Sequence, residues 1–305
     1  MTQTDLQVRD NAQAARRRGE AVLPARVGRW EAVQLAAIGT LARVYRARPA
    51  GAADHRAAAY ALKMLRPQWQ EDPRAIRVLA REALVGRSIS HPHVVSILDA
   101  HLGSAPRLVV MPWLDGATLR EHLAAGHQFD LPEALWLARQ VAEGLEALHR
   151  AGWMHGDVKP GNILISPQRH VTLLDLGFAR RADEIGSAAD RCVTGTCNYL
   201  APEWITSALR ADVRSDIYSL GVVLFELFSG RLPFEGKDLA EVAVQHRQAR
   251  PPELRRLVPH LPRDVAELVR QMLAKDPLRR PQTPAELVDR LAALEIAAFS
   301  ERGWG

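Results

Sequence analysis

Apolar positions change their period along the chain. From 30 to 65 they come in short runs, at 32–38, 42–47 and 57–65, divided by turn material such as Pro49-Ala50-Gly51, which is the texture of β-strands. Over 73–90 the spacing lengthens: Ile76, Leu79, Ala80, Ala83 and Leu84 fall on one helical stripe behind a start rich in acids. Two further extended runs, 94–99 and 108–113, complete a small, mostly antiparallel sheet with one helix packed on it. Beyond Asp115-Gly116 helices take over. The strongest is 131–151, with Leu135, Ala138, Val141, Leu145 and Leu148 on one face, and 215–229, 239–247, 264–274 and 284–298 follow. Between the first two lie short extended pieces at 163–165 and 171–174 that carry polar residues at irregular places. A β-rich part followed by an α-rich part predicts an α+β fold of two lobes with a cleft between them. Residues 1–26 are polar without a sustained apolar period and read as an extension, with room for a short helix across 6–20.

Composition narrows the function classes. The 305 residues are 47% apolar and 25% charged, which excludes wholesale disorder. The formal net charge is +5, but the first 30 residues hold +3 of it and the remaining 275 only +2. A dedicated nucleic-acid binder concentrates basic charge on its folded part, so no nucleic-acid partner is expected. Cys192 and Cys197 are too few for a disulfide framework or a four-ligand zinc site, and a reducing, cytoplasmic compartment is the expectation. The early residues carry charge throughout and lack the apolar core of a signal peptide. The longest apolar run, 217–228, contains Glu226 and falls short of a bilayer of roughly 30 Å, so it reads as a buried helix and no membrane span is expected. His101, His122, His127 and His149 stand at no metal-binding spacing and read as surface or helix-end residues, while Trp136 and Trp204 read as core. With 36 Arg to 4 Lys, each lysine carries more information than usual.

Two of those lysines fall in informative places. His155-Gly156-Asp157-Val158-Lys159-Pro160-Gly161-Asn162 lies in a loop between a predicted helix and a short strand, and Asp175-Leu176-Gly177 follows after the apolar 171–174. Mg²⁺ takes oxygen ligands and keeps phosphate oxygens and water in its shell, which suits Asn162 and Asp175. A hydroxyl nucleophile must be oriented and relieved of its proton, a task for Asp157. Lys159 can neutralise charge on a transferred phosphoryl group. Any one of these alone would more often be a surface polar residue. The joint spacing H-x-D-x-K-x-x-N followed by D-x-G is hard to reach by accident.

From about Trp30 to about Leu294 the chain resembles a eukaryotic-type (Hanks-type) serine/threonine protein kinase. The resemblance implies the bilobal kinase fold: a flexible extension over 1–29, a small β-rich N-lobe with one main helix and the hinge over 30–114, a larger α-helical C-lobe over 115–295, and a tail over 296–305. It implies ATP with Mg²⁺ or Mn²⁺ as cofactors, protein substrates bearing Ser or Thr hydroxyls, and autophosphorylation, with Ser187, Thr194 and Thr196 as candidate acceptors. Asp157 would be the catalytic base, and Asn162 and Asp175 would hold the metal ions. Lys159 marks the Ser/Thr-specific form of the loop. Ala59-Tyr60-Ala61-Leu62-Lys63 resembles the V-A-I-K strand, making Lys63 the ligand of the α- and β-phosphates, paired with Glu82 in the N-lobe helix. In Val110–Leu114 the carbonyl of Pro112 and the N–H of Leu114 would bind adenine, with Met111 as gatekeeper and Val44, Ala61 and Leu164 around the purine. Ala37-Ile38-Gly39-Thr40 would begin the phosphate-covering loop. Thr196 would bridge Asp157 and Lys159, Glu203 would pair with Arg280, and Asp216 would brace the catalytic loop.

Three departures carry consequences. Of the glycines in that covering loop only Gly39 remains, and glycines let backbone approach phosphate closely. The expectation is weaker or slower ATP handling, and the alternative reading is a pseudokinase scaffold with little or no transfer. Gly156 replaces the usual arginine before the base, which implies activity without activation-loop phosphorylation, with Arg180 and Arg181 as substitutes. Leu176 replaces the common phenylalanine, a conservative apolar change. The abundance of Ala and Arg points to a GC-rich bacterial genome.

Overall fold

The computed structural model describes residues 26–52, 58–181, 184, 197–205 and 211–302. The short helix expected across 6–20, Cys192, Ser187, Thr194 and Thr196 lie outside the described residues. The chain groups into two compact units: one takes the chain up to Ala80 together with Ile97–Leu114, the other Arg81–Ser96 and the chain from Asp115 onward.

In the first unit β1 (Trp30–Ile38), β2 (Ala42–Pro49), β3 (Tyr60–Leu65), β4 (Asp99–His101) and β5 (Leu108–Pro112) form an antiparallel sheet in the order β1-β2-β3-β5-β4. Register decides what each face carries. Val44 lies opposite Lys63, and Ala61 opposite Met111, so alternation puts Val44, Ala61 and Lys63 on one face. The other face carries Tyr45, Leu62 and Val110, which with Val27, Ala32, Ala47 and Leu108 make a core covered by Trp30, Tyr60 and Met64. The expected nucleotide-facing residues and the hydrophobic core thus occupy opposite sides of one sheet.

Helix α1 (Pro73–Ser88) crosses the boundary between the units. Asp72 caps it through Oδ1, which accepts from the N–H groups of Arg74 and Ala75 at 2.9 and 2.8 Å, and Pro73 fits the first helical position because its missing N–H is not needed there. The strand expected over 94–99 forms later in the chain, as β4, and shares only Asp99 with it. Val94 and Val95 instead attach to Leu173: the Val95 N–H donates to its carbonyl at 2.9 Å, and the Leu173 N–H donates to His93 O.

The second unit holds α2 (Leu119–Ala124), α3 (Leu131–Arg150), α4 (Val213–Ser229), α5 (Leu239–Gln248), α6 (Arg263–Met272) and α7 (Pro284–Arg302). Single helical turns lie at Pro202–Ile205 and Leu254–Leu257. Strands β6 (Ala117–Thr118), β7 (Ile163–Ile165) and β8 (Val171–Leu173) form a small antiparallel sheet beside them. Asp130, Asp212 and Asp238 cap α3, α4 and α5 with their side chains. The apolar run anticipated as a buried helix is most of α4, whose side chains from Val213 to Glu226 are buried except for the half-exposed Arg214. Among the described residues no helix is long and apolar enough to cross a membrane. Trp204 is buried as expected, whereas Trp136 is half-exposed on α3 because it stands off that helix's apolar stripe.

Candidate active site

The loop over 155–162 is built around buried polar groups. His155 is fully buried, and its Nδ1 accepts from the Asp157 N–H at 3.2 Å, which leaves Nε2 to donate to the carbonyl of Leu174 at 3.0 Å. Asp216, 1% exposed on α4, accepts from the N–H groups of His155 and Gly156 through its two oxygens, each at 2.7 Å. Two charge-assisted bonds to backbone fix the start of the loop from inside the unit. Gly156 adopts φ 78°, a conformation that a side chain disfavours, so this turn of the loop suits glycine in its own right.

The turn brings three polar side chains together. The Asp157 carboxylate receives Lys159 Nζ at 2.7 Å and Asn162 Nδ2 at 2.9 Å, and the same Asn162 nitrogen reaches Asp157 O at 2.8 Å. Asp157 and Asn162 are 5% and 6% exposed. With its nitrogen committed to Asp157, the Asn162 amide offers Oδ1, a hard oxygen of the kind Mg²⁺ takes. The Leu174 N–H donates to Asn162 O at 2.8 Å, which ties the next residue, Asp175, to the same loop. Asp175 stands in the left-handed region at φ 60°, an uncommon conformation that a following Gly177 N–H to Asp175 Oδ1 contact at 3.4 Å accompanies. Leu176 is fully buried behind it. The donor set of an amide oxygen and a carboxylate fits a hard divalent cation that completes its shell with phosphate and water.

The other expected residues fall as follows. In the first unit, Lys63 and Ala61 stand on β3 and Val44 on β2, Met111 and Pro112 end β5, and Leu114 is the unit's last residue. The strand pairing runs on past β5, since the Trp113 N–H donates to Ala59 O at 2.8 Å. Ala37, Ile38, Gly39 and Thr40 are all exposed at the turn between β1 and β2. In the second unit, Leu164 is half-buried on β7 and Glu82 is 1% exposed on α1, so it does not occupy a solvated helix face. Lys63 and Glu82 belong to different units. Thr196, the expected bridge between Asp157 and Lys159, lies outside the described residues.

Downstream, Glu203 and Arg280 form the anticipated pair, with Nη1–Oε1 at 2.6 Å and Nη2–Oε2 at 2.9 Å. Arg180 and Arg181 are engaged with indole rings, over Trp204 at 5.4 Å and over Trp153 at 4.9 Å. Arg81 also lies over Trp153, at 5.4 Å, and pairs with Glu184 at 2.6 Å. One cluster went unread in the sequence. The Tyr199 hydroxyl donates to Glu226 Oε2 at 2.5 Å, and Arg120 of α2 reaches both. Burial and the neighbouring Glu226 push the Tyr199 phenol well above its usual range. Its one available signal was the position of Tyr199 between Thr196 and Glu203 in the sequence.

The chain is similar to known proteins over most of its length. The profile of the protein kinase domain family matches residues 31–290. The chain is 34% identical over 243 residues to the serine/threonine-protein kinase PrkC of Bacillus subtilis, covering 79% of this chain and 37% of that protein. It is 34% identical over 275 residues to the serine/threonine-protein kinase PknA of Mycobacterium tuberculosis, covering 88% and 61%. Against the serine/threonine-protein kinase pkn2 of Myxococcus xanthus it is 39% identical over 227 residues, covering 71% and 27%. The chain therefore spans between about a quarter and three fifths of the length of these relatives. The crystal structure of the PknI kinase domain of Mycobacterium tuberculosis superposes with a TM-score of 0.66 at 23% identity, covering 90% of this chain and 98% of that one, which shows the shared fold.

Proposed function

The chain belongs to the protein kinase family, and from that premise we propose that it is an active serine/threonine protein kinase that transfers the γ-phosphate of ATP to hydroxyls of protein substrates, its own chain included. The observation that carries the reading is the buried Asp157 carboxylate held between Lys159 Nζ at 2.7 Å and Asn162 Nδ2 at 2.9 Å. Asp157 orients the acceptor hydroxyl and takes its proton. Lys159 offsets the negative charge that gathers on the phosphoryl oxygens during transfer. Asn162 Oδ1 and the Asp175 carboxylate would hold Mg²⁺, or Mn²⁺ in its place, which when bound supplies charge neutralisation at the phosphates. In the first unit Lys63 takes the α- and β-phosphates. The Pro112 carbonyl and Leu114 N–H take adenine, and Val44, Ala61 and Met111 line the purine. The Lys159 form of the loop supports Ser/Thr acceptors, and the cytoplasm supplies the ATP.

Radiolabel transfer tests the reading. Purified protein with Mg²⁺ and [γ-³²P]ATP should label itself and an added protein acceptor. Asp157→Asn, which keeps the shape and the Asn162 contact, should lower the rate about a hundredfold or more at unchanged thermal stability. Labelling that survives in Asp157→Asn, or that is absent from the unaltered protein, overturns the proposal.

A further inference from the structure

We propose that Arg66 and Trp69 are positioning residues for the phosphate-covering loop and take over the shaping role of the glycines it lacks; this rests on the ATP reading above. The loop has kept Gly39 alone, with Ala37 and Ala42 where the backbone would otherwise turn freely. Its shape is imposed from outside. The Gly39 N–H closes the turn onto Ala42 O at 2.8 Å. Arg66 Nη1 donates to Gly39 O at 3.4 Å and to Thr40 O at 3.3 Å. Trp69 Nε1 donates to Thr40 O at 3.0 Å, and the Arg66 N–H donates to Leu41 O at 2.9 Å. Three successive carbonyls, 39 to 41, are therefore all turned toward one short segment, the helical turn Pro67–Trp69 and the residue before it.

Peptide planarity converts that observation into a statement about donors. In a trans peptide the N–H of each residue points away from the carbonyl before it. With the carbonyls of Gly39, Thr40 and Leu41 drawn to the Arg66–Trp69 side, the N–H groups of Thr40, Leu41 and Ala42 are directed to the opposite side. Consecutive N–H groups aimed one way form a concavity for anionic oxygens. The anchoring segment is itself stiff. Gln70 Nε2 donates to Leu65 O at 2.5 Å, and Gln70 Oε1 accepts from the Arg107 N–H at 2.7 Å. Arg107 Nη1 also reaches Gln70 O and pairs with Glu71 Oε1 at 2.8 Å. The segment begins three residues after Lys63, so one strand sets both the phosphate-binding ammonium and the shape of the loop. The Trp69 bond is the shortest of the side-chain contacts to the loop, and Trp69 should therefore matter more than Arg66.

The test measures equilibrium binding of ATP with Mg²⁺ and, separately, of adenosine. Trp69→Phe keeps an aromatic ring and removes the donor. It should weaken ATP binding about three- to tenfold, the worth of one hydrogen bond, and leave adenosine within twofold. Arg66→Gln should shift ATP the same way by less, and it carries the comparison if Trp69→Phe folds poorly. ATP affinity unchanged in both variants overturns the proposal, and so do ATP and adenosine weakening together, the signature of general loosening. Unaltered protein that binds neither ligand removes the nucleotide reading itself. Unaltered protein that binds both, with variants indistinguishable from it, removes only the positioning role.

Discussion

Arg280 and Glu203 form an ion pair cut off from solvent, with side chains 0% and 1% exposed. Ser215 Oγ donates to Glu203 Oε1 at 2.7 Å, and Arg280 donates to the carbonyls of Ala274, Arg214 and Lys275 at 2.8, 2.9 and 3.2 Å. Every charge is answered, so the pair gives the single-residue change with the largest expected cost. Arg280→Met strands the Glu203 carboxylate in a dry site, and a loss of about 3–5 kcal/mol is expected. Chemical denaturation measures it, and a loss below about 1 kcal/mol would mean that water reaches the site in the folded state. This pair was readable from motif order although 77 residues separate its members. The Arg120 contact with Tyr199 and Glu226 was not. Arg120 is one of 36 arginines, and no local pattern distinguishes an arginine that will meet a buried carboxylate from one that stays in water.

At the scale of elements, spacing read the long helices to within a few residues, because α3 and α4 repeat their apolar positions over 20 and 17 residues. It missed α2, six residues long with too few apolar positions to define a period, although its capping box was visible as Thr118 and Glu121. It placed a strand at 94–99 where β4 starts only at Asp99, since a short apolar run has no period to separate a paired strand from a buried loop. Val94, Val95 and Ile97 are all buried, which is why the run looked like a strand. Element packing also depends on a residue that composition cannot rank. Gly144 lies in α3 where an added Cβ would come 2.8 Å from His93 O and 2.9 Å from Leu173 Cδ1. That carbonyl already accepts the Leu173 N–H at 2.9 Å, so it has little freedom to retreat. Alanine returns about 1 kcal/mol of helix propensity, and overpacking costs about 1–3 kcal/mol. Gly144→Ala should be net destabilising by roughly 1–2 kcal/mol, read as a lower urea midpoint at unchanged slope. A midpoint equal to or above that of the unaltered protein would show that α3 can move off the His93 turn without penalty.

For the molecule as a whole, stability should rise with pH across the neutral range, because its two most displaced bases both hold their protons less firmly in the folded state than in the unfolded one. His246 is fully buried, its Nε2 donates to Asn198 O at 3.1 Å, and its Nδ1 accepts from the Tyr218 hydroxyl at 2.9 Å. Lys275 Nζ approaches the same hydroxyl at 3.3 Å and lies 3.9 Å over the Phe234 ring, with Arg280 also facing Tyr218. Burial first, and then the Lys275 charge, bring the His246 imidazole down to about 4 from 6.5. Burial and then Arg280 bring the Lys275 ammonium down to about 7 from 10.5. A base with a depressed folded value binds its proton more readily when unfolded, so stability falls as pH drops from the unfolded toward the folded value. His246 sets a window from 6.5 to 4, and Lys275 a second from 10.5 to 7. The first window should remove roughly 2 kcal/mol by pH 5. Thermal midpoints between pH 7 and 5 for the unaltered protein and for His246→Gln separate this residue from general acid titration: the unaltered protein should fall the more steeply. Parallel falls would place the acid sensitivity elsewhere.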